Sequence, residues 1–134
     1  CKQENIELVS IDTKDSEIKC PNCDFIVEVS WRYLISPEIV KKANILAFGI
    51  HRGKLPEYAG AEPIKQALMK HEKEIIISAH HLDSKIDAGE VITSKSFKIN
   101  FNSEISLEKN IQIILNDITP LFSEITIEVL EKSV

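Results

Sequence analysis

The order of apolar runs along the chain predicts an α/β domain, a mostly parallel twisted sheet with helices packed on it and a hairpin near one edge. Two observations lead there. The apolar, β-branched runs Phe25–Val29, Ile45–Ile50 and Glu74–His80 are separated by segments of helix formers that carry their own start signals. A further run, Val91 to Phe101, follows the third across Asp83–Gly89, a turn-forming segment with no room for a helix.

Taken in order, Ile6 to Ile11 (IELVSI) reads as a short strand and is followed by a charged loop through Lys19. Cys20-Pro21-Asn22-Cys23 has the spacing of half a zinc site. A structural zinc needs four ligands and no second pair or nearby histidine supplies them, so a polar loop before a strand, with no metal, is expected. Phe25 to Val29 is that strand. Ser36-Pro37-Glu38 then opens a short helix through about Lys42: Ser36 caps the free amides, Pro37 suits the first turn and Glu38 complements the positive end of the dipole.

Ile45 to Ile50 (ILAFGI) is nearly continuous in apolar residues, the pattern of a strand buried on both faces, and it ends at His51. Arg52 to Gly60 is a loop. Glu62 to Lys70 returns to helix formers, with Ile64, Ala67, Leu68 and Met69 placed to face the sheet as core. Glu74 to His80 and Val91 to Phe101 are strands joined by the Asp83–Gly89 turn, Lys95 and Lys98 pointing outward. From about Ser103 the pattern is helical to the end, interrupted or bent at Pro120.

Composition narrows the function classes. The 134 residues suffice for one domain, and 43% hydrophobic with 28% charged residues is ordinary for a globular protein. A formal charge of −5 and the lack of any basic stripe argue against a nucleic-acid partner. No stretch approaches the roughly 20 apolar residues of a membrane span, and the polar opening Cys1-Lys2-Gln3-Glu4-Asn5 lacks the parts of a signal peptide, so a cytoplasmic protein is expected. Cys1, Cys20 and Cys23 are too few for a disulfide framework. A start at Cys rather than Met suggests a fragment.

The chemistry-bearing candidates are His51 and Asp87. Strands joined through a helix run parallel, which would bring the ends of 45–50 and 74–80 to one carboxyl edge, where open α/β sheets bind ligands. A carboxylate beside an imidazole fixes its tautomer and raises its pKa, which suits proton donation near neutrality. On residue type and spacing alone, a surface histidine and a turn aspartate are the better explanation of the pair.

Two separated motifs add a resemblance. His51-Arg52-Gly53-Lys54-Leu55-Pro56-Glu57-Tyr58-Ala59-Gly60 resembles the signature loop of the folate-dependent formyltransferases, in which an asparagine, a spacer and a histidine end a buried strand before a Leu-Pro and a later Gly. His80-His81-Leu82-Asp83-Ser84-Lys85-Ile86-Asp87-Ala88-Gly89-Glu90-Val91-Ile92 is similar to that family's second motif, ending Asp-x-Gly-x-Ile. Upstream, Val29 to Ser36 is similar to the segment that lines the pteridine pocket. The likeness spans about residues 24 to 93.

The resemblance implies a Rossmann-like domain with helices on both faces, of which this chain is the carboxyl-terminal two-thirds, the first strand–helix units lying upstream. It implies 10-formyltetrahydrofolate as formyl donor, no metal, and an amine acceptor. His51 and Asp87 take the catalytic positions, and Trp31, Arg32, Tyr33, Ile35, His80 and Asp83 border the folate. The sequence departs from the family at Gly49, which stands at the catalytic asparagine. Loss of such an oxyanion donor costs about 3 kcal/mol of transition-state stabilisation, unless the Gly49 amide, a water or an acceptor group replaces it. The leading expectation is therefore an amine formyltransferase acting on a small molecule such as an amino sugar nucleotide. The alternative is a non-catalytic or altered folate-binding module. His71 is expected to be exposed and His81 to lie on the strand face opposite His80.

Overall fold

A computed structural model describes residues 3–11 and 17–134. Its elements are β1 (Cys23–Val29), α1 (Pro37–Val40), β2 (Ala43–His51), α2 (Pro63–Met69), β3 (Glu74–His81), β4 (Val91–Lys98) and α3 (Leu107–Ser133). The strands form one open sheet in the order β1-β2-β3-β4, with the β3–β4 hairpin at one edge. The α/β class and the hairpin agree with the sequence reading, but the sheet is mixed. β1 pairs parallel with β2, whereas β2 pairs antiparallel with β3 and β3 with β4.

The expected parallel pairing of 45–50 with 74–80 is thus overturned, and the reason is length. The seven residues of α2 rise about 10 Å, while the nine residues of β2 extend about 30 Å. A helix that short cannot carry the chain back to the start of β2. β3 therefore begins beyond the end where β2 finishes and runs the other way, placing His51 opposite Ser78 and Gly49 opposite His80.

Paired residues on neighbouring strands point to the same face, so this register sorts the side chains. Phe48, Ile50, Ile75, Ile77 and Ala79 are buried together with Ile114, Ile118, Ile125 and Val129 of α3, which forms the core with one face of the sheet. The buried positions of α3 recur at spacings of 4, 7 and 4 from Ile114 to Val129, the stripe of an amphipathic helix. The other face carries Glu28, Gly49, His51, Ser78 and His80 and is polar. Ser106 caps α3 by accepting from the Lys109 amide. Just inside, buried Asn110 holds the preceding loop through both its oxygen, which accepts from Asn102 N, and its amide, which donates to Asn102 O.

Local expectations divide. Ser36 accepts from Ile39 N and Pro37 opens α1, as the sequence indicates. Ile64, Ala67 and Leu68 are buried, but Met69, one step round the helix, is 65% exposed. Ile6 to Ile11 forms no strand: Ile6, Leu8 and Val9 are exposed, with no neighbouring strand among the described residues to satisfy their backbone. The charged segment expected after it falls partly on residues 12–16, outside the described residues. β4 ends at Lys98 rather than Phe101. Lys95 and Lys98 cannot both point outward, because residues three apart in a strand face opposite ways. Lys95 turns toward α3 and pairs with Glu128 at 3.2 Å, and Lys98 is exposed. Pro120 does not interrupt α3; it lies on the solvent side, with the helix continuous around it.

Candidate active site

The polar face of the sheet floors a cleft of about 350 Å³. Its walls come from the segment after β1, the loop after β2 and the loop after β3. His51 and Asp87 meet there: His51 Nδ1 lies 3.3 Å from Asp87 Oδ2. They do not meet by sharing a carboxyl edge, since their strands run in opposite directions. The loop after β3 doubles back across the sheet, with Leu82 N donating to Ala47 O, His81 N to Glu90 O, and Asp87 in the left-handed region at φ 53°. That conformation is tolerated by aspartate better than by most residues. Two residues on, a Cβ at Gly89 would lie 1.7 Å from His81 O, so only glycine lets the loop close onto β3. The Asp-x-Gly pattern therefore has a steric reason: the glycine seats the loop that aims the aspartate.

Asp87 is held from three sides. Its Oδ2 accepts from Gly60 N at 3.0 Å, and its Oδ1 lies 3.5 Å from Nε2 of buried His80. Burial by itself pushes the Asp87 carboxyl up, but the contact with His80, the charge of His51 and the Gly60 amide outweigh it and hold the group below its ordinary range. His80 shows the reciprocal balance. Burial pushes its pKa down, yet the contact with Asp87 and its charge prevail and raise it. His51 is anchored at its far nitrogen, Nε2, 2.6 Å from Tyr58 O. Tyr58 is buried in turn, and its hydroxyl donates to Glu72 at 2.6 Å. Both ring nitrogens of His51 thus face oxygens that only accept.

The candidates expected to border the folate lie around this pair. Trp31, Arg32, Tyr33 and Ile35 line the cleft, as do His80 and Asp83. Trp31 and Tyr33 pack edge to face, their ring centres 5.6 Å apart. The buried Nε1–H of Trp31 has no acceptor among the described residues, and Nε2 of His80, 3.5 Å from Asp87 Oδ1, has no closer polar partner among them. His81 is exposed on the other side of β3, and His71 is exposed.

Sequence reasoning missed Glu28. It lies directly across from Gly49 in the parallel pair, lines the cleft, and accepts a short hydrogen bond from Trp31 N. The available signal was alternation. In Phe25-Ile26-Val27-Glu28-Val29, a carboxylate shares a face with Ile26 on an inward-facing position.

Comparison with known proteins agrees with this geometry. Residues 8–114 match the family model described as formyl transferase. The chain is 32% identical over 82 residues to methionyl-tRNA formyltransferase of Staphylococcus aureus (strain Newman), covering 61% of this chain and 26% of that protein. It is 27% identical over 119 residues to methionyl-tRNA formyltransferase of Sulfurimonas denitrificans, covering 89% of this chain and 37% of that one. The chain thus spans between about a quarter and somewhat over a third of the length of such relatives. Among solved structures, the formyltransferase PseJ from Anoxybacillus kamchatkensis, in complex with UDP-4,6-dideoxy-4-formamido-L-AltNAc and tetrahydrofolate, superposes with a TM-score of 0.60 at 27% identity, covering 87% of this chain and 59% of that one. With a family match across most of its length and the two motifs converging in one cleft, the chain belongs to the formyl transferase family.

Proposed function

We propose that the intact protein transfers a formyl group from 10-formyltetrahydrofolate to the amine of a small-molecule acceptor in the cytoplasm, an amino sugar nucleotide being the preferred class. The observation that carries this reading is the convergence of His51 and His80 on one ionised carboxylate, Asp87, inside a cleft lined by Trp31 to Ile35.

The cleft suits a flat, nitrogen-rich ring. Trp31 and Tyr33 offer aromatic surface, and the buried Trp31 Nε1–H awaits an acceptor. His51 presents Nδ1 toward the cleft beside Asp87 while Tyr58 O fixes the ring, so His51 can donate to the formyl oxygen or to the departing folate nitrogen. Asp87 can receive the proton that the attacking amine loses, and pass it on through His51. Such positioned donors favour the transition state because negative charge develops on the formyl oxygen as the amine adds.

Similarity to PseJ, whose structure holds a formamido sugar nucleotide, supports the acceptor class, and so does the acidic composition without a basic stripe. A second reading, a folate-binding module with altered chemistry, is favoured by one observation, the missing side chain at Gly49. Single-turnover transfer by the full-length protein decides between them. Turnover with an amino sugar nucleotide, lost in His51→Ala and Asp87→Asn by about 10²–10⁴-fold, supports the enzyme. Tight folate binding without transfer to any amine in a broad screen would leave only the module.

A further inference from the structure

Glu28, Gly49 and His80 form one row across the polar face of the sheet. With no side chain in the middle, its neighbours close over the gap. Glu28 Oε2 lies 2.8 Å, and His80 Nε2 3.0 Å, from where a Cβ on residue 49 would sit. The space that a side chain at position 49 would enter is thus held by a carboxyl group from the adjacent strand. Its two oxygens are not equivalent. Oε1 accepts from Trp31 N, while Oε2 makes no hydrogen bond among the described residues and faces the row.

We propose that Glu28, in its protonated form, supplies the hydrogen-bond donor that Gly49 lacks, its Oε2–H directed at the formyl oxygen. The proposal rests on the formyl-transfer reading and adds a catalytic residue to it. During transfer the amine nitrogen bonds to the formyl carbon as the carbonyl electron pair moves onto oxygen, where Oε2–H stabilises it. The pair then returns, the bond to the folate nitrogen breaks, and the amine's proton ends on that nitrogen. Glu28 keeps its proton throughout.

The rival role, an anionic base, is opposed by the surroundings. A carboxylate there would face the oxygen that is becoming negative and would sit near Asp87, already ionised. Two carboxyl groups in one site push each other's pKa values apart, and their environments then assign the acid and the base. Burial pushes Glu28 up; the Trp31 amide and the charge of His80 pull it back; Asp87 pushes it up again and Arg52 pulls it down, with a net rise. Asp87 is held down. Those groups come from the turn after β1, from β3, and from the loops after β3 and β2.

The test uses the full-length protein and a stable 10-formyl dideazafolate whose formyl carbon is isotopically labelled, so that infrared spectroscopy reads the bound carbonyl without any acceptor. A donated hydrogen bond lowers the carbonyl frequency. The expected shift is present in wild type, fades as pH rises through the Glu28 titration, persists at all pH values in Glu28→Gln and is lost in Glu28→Ala. Single-turnover transfer should fall by about 10²–10³-fold in Glu28→Ala and be retained in Glu28→Gln, which keeps both the fold contact to Trp31 and a donor. An unchanged carbonyl frequency in Glu28→Ala overturns the proposal, as does a Glu28→Gln variant no faster than Glu28→Ala, the outcome an anionic base requires. Failure of the analogue to bind any of the folded proteins would instead bring down the formyl-transfer reading and this proposal with it.

Discussion

Restoring asparagine at position 49 is the substitution the family pattern invites, and the structure turns it into a measurement of how the site is packed. A Cβ there would lie 2.8 Å from Glu28 Oε2, 3.0 Å from His80 Nε2 and 3.2 Å from His80 Cε1. Ordinary contact between nonbonded heavy atoms is about 3.5–4.0 Å, so both neighbours must retreat by about half an ångström or more. The Glu28 carboxyl can swing aside at the cost of its contact with Trp31. The His80 ring is 2% exposed and has little freedom. Overfilling a packed site costs about 1–3 kcal/mol, which for a domain of this size lowers Tm by about 3–10 °C. The assay is thermal and urea unfolding of Gly49→Asn, Glu28→Ala and the double variant. In the double variant the asparagine enters space that the carboxyl has left, so part of the loss should return, a coupling of about 0.5–2 kcal/mol. Wild-type stability for Gly49→Asn alone, or strict additivity in the double variant, would refute the idea that Glu28 and Gly49 share one space.

Two further outcomes follow from the same contacts. Asp87→Asn should lower the His80 pKa, read by NMR of the imidazole, because Asp87 is what lifts it against burial; an unchanged or higher value refutes the assignment. His80, raised when folded, contributes stability fully below its ordinary value of 6.5 and loses it as pH climbs through the folded value. Asp87, lowered when folded, contributes above its ordinary 3.8 and loses it as pH falls through the folded value. The stability deficit of Asp87→Asn in urea should therefore be largest between those ordinary values and shrink above the folded pKa of His80. On the opposite face, Ile118→Ala removes a fully buried side chain beneath the sheet and should cost about 2–5 kcal/mol; a loss well under 1 kcal/mol would mean that α3 is not the other half of the core.

Much of this was legible in the chain because local chemistry and packing agree. Ser36-Pro37 starts a helix on its own account, and the apolar run ending at His51 needs burial wherever it is placed. Strand direction was not legible, since it depends on whether the link between two strands spans a strand's length, and α2 proved shorter than the helical pattern suggested. Ile6–Ile11 has strand composition, but a strand is a property of a pair, and composition carries no information about the partner. The meeting of His51 with Asp87 was anticipated for the wrong reason. A parallel crossover would have delivered the aspartate at a strand end, whereas the chain achieves it with a returning loop whose closure depends on Gly89.

Gly49 illustrates the deeper limit. Along the sequence it is a deletion of chemistry, one residue type standing where another supports catalysis. Twenty-one positions upstream, Glu28 reads as a single charge in an apolar strand, a local oddity with no evident purpose. Only the register, which sets Glu28 against Gly49 and Gly49 against His80, makes the two anomalies one feature: a side chain removed from the middle strand and a carboxyl group leaning into its space from the next. A donor arriving from β1 rather than β2 approaches the cleft from a different side, so such a site should tolerate glycine at 49 only while a group capable of donation occupies position 28. The two positions are then constrained as a pair, and a substitution at either is interpretable only with the identity of the other in hand.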